Sequence, residues 1–306
     1  MKVLILGSNG LVGSSLFSVL STKNDFEEVI PATRSNANLL DLQETSNLIN
    51  SVKPNIIINA AARVGGVLAN DLYRSQFLIE NIRININLLE SLIPFPEMKL
   101  INLGSSCIYP LNANNPIKEE SIMTGKLEPT NSAYAMAKLT SIELGDSLSK
   151  QYGHQIVNLM PTNLYGPNDN FSDKGSHVIP GLIQRIHKAH TNNDSYVEVW
   201  GSGNPKREFL YVDDLASSIL FIIRNGINVN LLNIGSGKEI SIRELVSLLV
   251  DVIQYKGDIK YSSEYPDGNP KKMIDSTKIN KLGWKAETTL TEGLAKTYSW
   301  YLENVS

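Results

Sequence analysis

The sequence predicts an α/β protein: a doubly wound parallel sheet joined by a smaller α+β lobe. Three observations carry this expectation. Short apolar runs recur without polar alternation, as strands buried on both faces do. Segments of helical spacing separate them, and a glycine-rich turn follows the first run at once.

Lys2–Leu6 is the first run, and Gly7-Ser8-Asn9-Gly10-Leu11-Val12-Gly13 turns the chain into a segment whose Leu16, Phe17 and Leu20 keep helical spacing. A second strand fits residues 29–32, a polar stretch reaches Asp41, and a helix at 43–52 leads to a third strand at 56–60. A helix over 76–93, a strand at Lys99–Leu103, a helix over 131–152 and a strand at 156–160 complete the alternation of a parallel sheet covered on both faces. After Pro161 the periodicity breaks, and residues 162–181, rich in Asn, Gly, Pro and Ser, read as a long functional loop. Residues 208–224 read as strand then helix, Leu231–Ile234 as another strand, and a turn cluster follows at 265–270. The expected division is 1–163 with 206–236 for the doubly wound domain, and 164–205 with 237–306 for the lobe.

The 306 residues are 42% hydrophobic and 19% charged, which is globular composition with ample length for a core. A formal net charge of −3 offers no basic surface for nucleic acid. One cysteine, Cys107, rules out an intrachain disulfide and fits a reducing cytoplasm. Lys2 enters the first strand directly with no cleavage-site pattern, and no apolar run reaches ~18 residues, so neither a leader nor a membrane span is expected. His154, His177, His187 and His190 lack metal-ligand spacing, so no metal is expected.

Gly7, Gly10 and Gly13 form G-x-x-G-x-x-G between strand and helix. The first glycine permits the turn, the second lets backbone approach a pyrophosphate, and the third allows close helix–strand packing, which marks a Rossmann-type dinucleotide site. The helix start aims its amides at the phosphates. The second strand ends in Thr33-Arg34-Ser35 with no acid before Asp41, which favours NADP(H) over NAD, with Arg34 toward the 2′-phosphate. Asp41 is placed for the adenine amino group, and Ala61 is small where a strand end passes the cofactor.

Tyr134-Ala135-Met136-Ala137-Lys138 is Y-x-x-x-K, which puts phenol and ammonium on one helix face. A free phenol titrates near ~10, and a neighbouring ammonium is expected to lower that value, suiting an acid that protonates a carbonyl oxygen as hydride arrives. Ser105, at the end of the fourth strand, is the expected partner of the substrate oxygen, with Ser106 as competitor. Cys107 stands two residues on; its thiol can exchange protons with a carbon acid beside a ketone, or it can be a small buried hydrophobe. His177, in the loop after the last strand of the first half, reads either as surface or as part of the site.

Taken with Gly65-Gly66, the segments Leu103-Gly104-Ser105-Ser106-Cys107-Ile108-Tyr109-Pro110 and Leu127-Glu128-Pro129-Thr130-Asn131 resemble the GDP-L-fucose synthases, the bifunctional epimerase/reductases of GDP-4-keto-6-deoxy-D-mannose. Asp169-Asn170-Phe171, Ser176-His177-Val178-Ile179-Pro180, Val199-Trp200-Gly201-Ser202-Gly203, Arg207-Glu208-Phe209-Leu210 and Pro266-Asp267-Gly268 extend the likeness over essentially the whole chain. The resemblance implies Ser105, Tyr134 and Lys138 for reduction, and Cys107 with His177 as the acid/base pair of epimerisation. It implies cofactor contacts from Ser8, Asn9, Leu11, Val12, Ala61, Leu103, Pro161, Asn163, Leu164 and His177 beside the glycines, Arg34, Asp41, Tyr134 and Lys138. Substrate contacts would come from Ser105, Ser106, Cys107, Asn163, Arg185, Trp200, Arg207 and Asp267, with the guanidinium forks suited to a diphosphate.

The resemblance also implies a homodimer, in which Leu139, Ile142 and Leu144 would face either a partner or the core. Ser8-Asn9 departs from the family, which carries a basic residue there, so Arg34 has less help with a 2′-phosphate. The same machinery would serve a GDP-4-keto-3,6-dideoxy sugar or a GDP-6-deoxy-4-keto-heptose, and a non-catalytic NADP-binding regulator is the reading from another class. A 4,6-dehydratase would need an acid where Ser106 and Cys107 stand, and a UDP-sugar 4-epimerase needs no Cys/His pair.

Overall fold

The computed structural model describes residues 1–172, 175–262, 267 and 269–306. Its strands are β1 (Lys2–Leu6), β2 (Glu28–Ala32), β3 (Ile56–Asn59), β4 (Lys99–Leu103), β5 (Ile156–Pro161), β6 (Asn163–Tyr165), β7 (Tyr196–Trp200), β8 (Lys206–Tyr211), β9 (Leu231–Ile234), β10 (Glu239–Ser241), β11 (Asp258–Ser262) and β12 (Lys271–Lys272). Its helices are α1 (Leu11–Ser21), α2 (Leu42–Val52), α3 (Val67–Leu72), α4 (Arg74–Leu92), α5 (Ser132–Tyr152), α6 (Val178–Asn192), α7 (Val212–Arg224), α8 (Ile242–Ile253), α9 (Thr277–Leu282) and α10 (Leu290–Asn304).

Among the described residues β2-β1-β3-β4-β5-β9 form one sheet, and every pair in it is parallel. Both faces of β1, β3, β4 and β5 are covered, which is why their sequences show apolar runs rather than alternation. After β2 the chain returns across β1 to β3. The strand order therefore reverses at β1/β3, and the crevice beyond their carboxyl ends is the switch point where such sheets bind ligands.

A ladder of buried amides crosses this sheet. Asn59, Asn102 and Asn158 lie in register on β3, β4 and β5. Asn59 Nδ2 donates to Asn102 Oδ1 at 3.0 Å and to Asn85 Oδ1 on α4 at 3.3 Å. Asn102 Nδ2 donates to Asn158 Oδ1 at 3.1 Å and to Ser141 Oγ on α5 at 2.9 Å, and Ser141 in turn reaches Asn85. Asn158 closes the row on Asn230. Polar groups buried this deeply are tolerated because each finds a partner.

A second sheet, β10-β8-β12 with β6 beside β8, and the pair β7–β11 build the smaller lobe. Residues 162–181 are thus not one loop: β6 pairs parallel to β8, and α6 begins at Val178. Three-residue β6 is too short to show a period, which hid it. The alternation in β7, with Val197 and Val199 inward, is a readable strand signal. The α8 start is a full capping box between Ser241 and Glu244.

Strand β8 faces two ways: Leu210 packs in the core under the large sheet, Phe209 and Tyr211 in the core of the lobe. Leu139 and Ile142 are buried in a core cluster with Ile108 and Tyr109, and Leu144 packs against the core beneath α4, so all three face the protein's own interior. Pro266 and Gly268 of the Pro-Asp-Gly segment, with Tyr265 of the 265–270 turn, lie outside the described residues. No helix among the described residues is long and apolar enough to cross a membrane.

Asn102→Ala orphans Asn158 Oδ1 and removes one of two partners from Asn59 and Ser141, which keep Asn85, and an orphaned buried group costs about 1–3 kcal/mol. Urea unfolding should show a loss of roughly 2–4 kcal/mol; a loss below roughly 1 kcal/mol would deny the ladder its structural weight.

Candidate active site

At the switch point the β1–α1 turn is closed by Gly7 N and Ser8 N, which both donate to Ala32 O at the end of β2. Gly7 has φ +78°, and a Cβ there would sit 2.8 Å from the Ala61 backbone. A Cβ on Gly13 would overlap the Gly7 carbonyl oxygen, whereas around Gly10 the nearest atom is 3.7 Å away. Gly10 starts α1 without a side-chain cap, and no acid stands in the first turn. The Ser8 hydroxyl is buried with no hydrogen-bond partner among the described residues. Leu11 and Val12 are half-buried, and Asn9 is exposed. This cradle fits a dinucleotide pyrophosphate: uncapped amides and an orphaned hydroxyl converge where only backbone can pass.

Arg34 is exposed in the turn after β2, beside a cluster in which Thr33 Oγ1 meets Ser35 Oγ at 2.7 Å and Asn36 Oδ1 at 3.1 Å. Asp41 caps α2, accepting from Glu44 N at 2.8 Å through one carboxylate oxygen.

The carboxyl end of β4 and the start of α5 bring four of the expected groups together. Ser105 Oγ accepts from Cys107 N at 3.2 Å, which holds the hydroxyl in place and leaves its proton to donate. Ser106 is buried inside the following 3₁₀ turn, Ser106–Ile108. Lys138 Nζ donates to Leu103 O at 2.7 Å and lies 5.7 Å from the centre of the Tyr134 ring. Phe77 of α4 meets that ring edge-on at 6.3 Å. Cys107 Sγ accepts from Asn131 Nδ2 at 3.4 Å.

Burial, and after it the nearby Cys107, push the Tyr134 phenol above its ordinary range rather than below it. The ammonium that was expected to lower the phenol is itself pushed down to about 8 by burial. Desolvation governs both groups and keeps the phenol protonated, the form that can donate to a carbonyl oxygen.

His177 precedes α6 and is exposed; its Nδ1 stands 3.7 Å from Asp169 Oδ1. The same segment joins the cleft through Gly66 N, which donates to Gly175 O at 2.8 Å, while a Cβ on neighbouring Gly65 would touch Phe77 at 3.2 Å. Pro161 ends β5, and Asn163 Nδ2 donates to Glu208 O at 2.8 Å, with Leu164 half-buried beside it.

In the lobe the Arg185 guanidinium lies 4.8 Å above the Trp200 ring. Asp267 accepts from Ser202 N at 2.9 Å and Ser202 Oγ at 2.6 Å, so both its oxygens serve the turn after β7. Arg207 donates to Asn269 O at 2.6 Å; burial lowers it, while the charges of Asp267 and Glu128 act the other way.

The sequence matches the model of the NAD dependent epimerase/dehydratase family over residues 3–235. The chain belongs to that family. The GDP-L-fucose synthase of Escherichia coli (strain K12) is 42% identical over 99% of this chain and 97% of its own length. The probable GDP-L-fucose synthase 1 of Oryza sativa subsp. japonica is 41% identical over 99% of this chain and 93% of its own. The crystal structure of a GDP-L-fucose synthetase from Naegleria fowleri bound to NADP superposes with a TM-score of 0.90, at 28% identity, covering 99% of this chain and 93% of that one.

Two neighbours of the expected site residues carry no signal of their own in composition or spacing: Asp169 behind His177, and Asn131 against Cys107. Both stand inside the segments on which the family likeness rests.

Lys138 titrates near about 8 in the folded chain against 10.5 when unfolded, so between these values the unfolded state binds more protons and stability rises with pH. The rise from about pH 7.5 to about pH 9.5 amounts to about 2 kcal/mol for this group. Lys138→Met should remove it, measured as the difference between the urea midpoints of the two proteins at the two pH values; parallel pH profiles would refute the burial argument.

Proposed function

We propose that the protein converts GDP-4-keto-6-deoxy-D-mannose and NADPH into GDP-L-fucose and NADP⁺, by 3,5-epimerisation followed by reduction at C4. The observation that carries this reading is the Cys107 thiol standing in one cluster with Ser105, Tyr134 and Lys138: a reductase alone needs no thiol there. The full-length likeness to GDP-L-fucose synthases supports the choice of substrate.

The C4 ketone acidifies the C3 and C5 protons. Cys107 and His177 form the proton-exchanging pair: one removes a proton and the other returns one to the opposite face. Ser105 and Tyr134 donate to the C4 oxygen while it carries enolate charge, and in a desolvated site such donors count for more than in water. NADPH, when bound, supplies the hydride that reduces C4. Tyr134 gives its proton to the same oxygen, and the Lys138 ammonium beside it stabilises the negative charge left behind. One oxyanion site thus serves both reactions.

The glycine loop, Ser8 and Arg34 would hold the cofactor, with Asp41 at the adenine and Ala61, Leu103, Pro161, Asn163 and Leu164 along its path. Arg185 with Trp200, and Arg207 with Asp267, would hold the GDP end of the substrate. A homodimer is part of the reading: Ile79 and Ile86 on α4 and Met136 on α5 are exposed apolar residues on the two helices proposed to meet a second copy. Light scattering at micromolar concentration tests it, and a monomer refutes it. A cytoplasmic setting also belongs to the proposal.

The deciding assay is NADPH oxidation with GDP-4-keto-6-deoxy-D-mannose, with the product identified by NMR. Rapid formation of GDP-L-fucose is expected; no turnover by protein that binds NADPH would move the substrate to a 3,6-dideoxy or heptose GDP-sugar. Tyr134→Phe should lower reduction by roughly 10²–10⁴-fold while C3 and C5 protons still exchange with D₂O. Cys107→Ser should abolish that exchange; full-rate exchange in this variant would remove the thiol from the mechanism.

A further inference from the structure

The inference concerns Asn131 and rests on the reaction proposed above. Asparagine is a favoured helix N-cap because its side chain can accept from the first free amides. Asn131 occupies that position on α5, the helix that carries Tyr134 and Lys138, yet its side chain makes no cap hydrogen bond. The amide is turned to Cys107 instead, with Nδ2 donating to Sγ at 3.4 Å. Its Oδ1 is buried with no partner among the described residues, so no second contact fixes which end of the amide faces the sulfur.

The turn that presents Asn131 is held from two sides. Glu128 accepts from Thr130 N at 3.2 Å and from Thr130 Oγ1 at 2.6 Å. Arg74 of α4 donates to Pro129 O at 2.7 Å and to Ser132 Oγ at 2.8 Å. The amide therefore reaches the sulfur from a fixed base.

We infer that Asn131 is a positioning residue for the Cys107 sulfur, serving both protonation states met during proton exchange. A thiolate accepts from the amide N–H. When a substrate C–H bond breaks, its electron pair moves into the enolate that ends on the C4 oxygen, and the proton goes to Sγ. The new S–H then needs an acceptor, which Oδ1 supplies after a rotation of the amide; in the reverse transfer the amide turns back. Both groups of one side chain are used in turn, and neither is committed elsewhere.

Cys107 is the chain's only cysteine, so its titration is read without substrate from the ultraviolet absorbance of the thiolate, with Cys107→Ser as the blank. Removing a hydrogen bond to the charged form should raise the thiol in Asn131→Ala by about one unit. Asn131→Asp, which sets a carboxylate beside the sulfur, should raise it further. Exchange of the C3 and C5 protons into D₂O without NADPH should fall roughly tenfold in Asn131→Ala, following one unit of thiol shift.

An unchanged thiol midpoint in Asn131→Ala overturns the inference. So does a shifted midpoint with undiminished exchange. Should Asn131→Ala fold poorly, Asn131→Ser, which can itself cap α5, takes its place with the same expected shift. Absence of exchange in the unsubstituted protein would count against the proposed reaction, whereas the thiol titration still decides whether Asn131 controls the sulfur.

Discussion

Helix α5, which carries Tyr134 and Lys138, is held by polar contacts as well as by its apolar packing. Ser141, two turns along α5 from Tyr134 and less than one from Lys138, is tied to the asparagine row that crosses β3, β4 and β5 and to Asn85 of α4. Apolar packing tolerates small slides of a helix over a sheet. A hydrogen-bond set with one register does not, because each displaced donor would be left unpaired in a dry interior. The tie from Lys138 Nζ to Leu103 O then fixes the ammonium against the end of β4, and Ser105 and Cys107 follow two and four residues later on the same strand exit.

This placement also explains the electrostatics of the cluster. Phenol and ammonium are both removed from water, and removal shifts each toward its neutral form. Sequence spacing alone describes the pair in a solvent that the folded cluster does not contain. For that reason Y-x-x-x-K correctly announces which two groups meet but gives the wrong direction for the phenol.

Much of the architecture was legible because β1, β3, β4 and β5 are buried on both faces and the helices between them keep their period, so periodicity and turns coincide at the same boundaries. The glycine loop was legible for a different reason: Gly7 and Gly13 stand where any Cβ would meet backbone. What lay beyond the sequence was local or relational. Strand β6 is three residues long, and its existence depends on β8, over forty residues away. Leu139, Ile142 and Leu144 are apolar on a helix with neighbours on more than one side, so spacing left their direction open until the cores were defined. Asp169 and Asn131 stand out only by the neighbour each touches, His177 and Cys107, and no single-residue pattern marks such a contact.

Strand β8 gives the two lobes a shared fate. Leu210 belongs to one core, and Phe209 and Tyr211 to the other; Leu164 and Tyr165 on adjacent β6 divide in the same manner. Melting either core exposes a face of a strand that the other core requires, so neither is a module that can be cut away or exchanged as a cassette. New specificity on this scaffold has to come from side chains and loops such as the turn after β7, because the wall between the two halves is made of residues that both halves own.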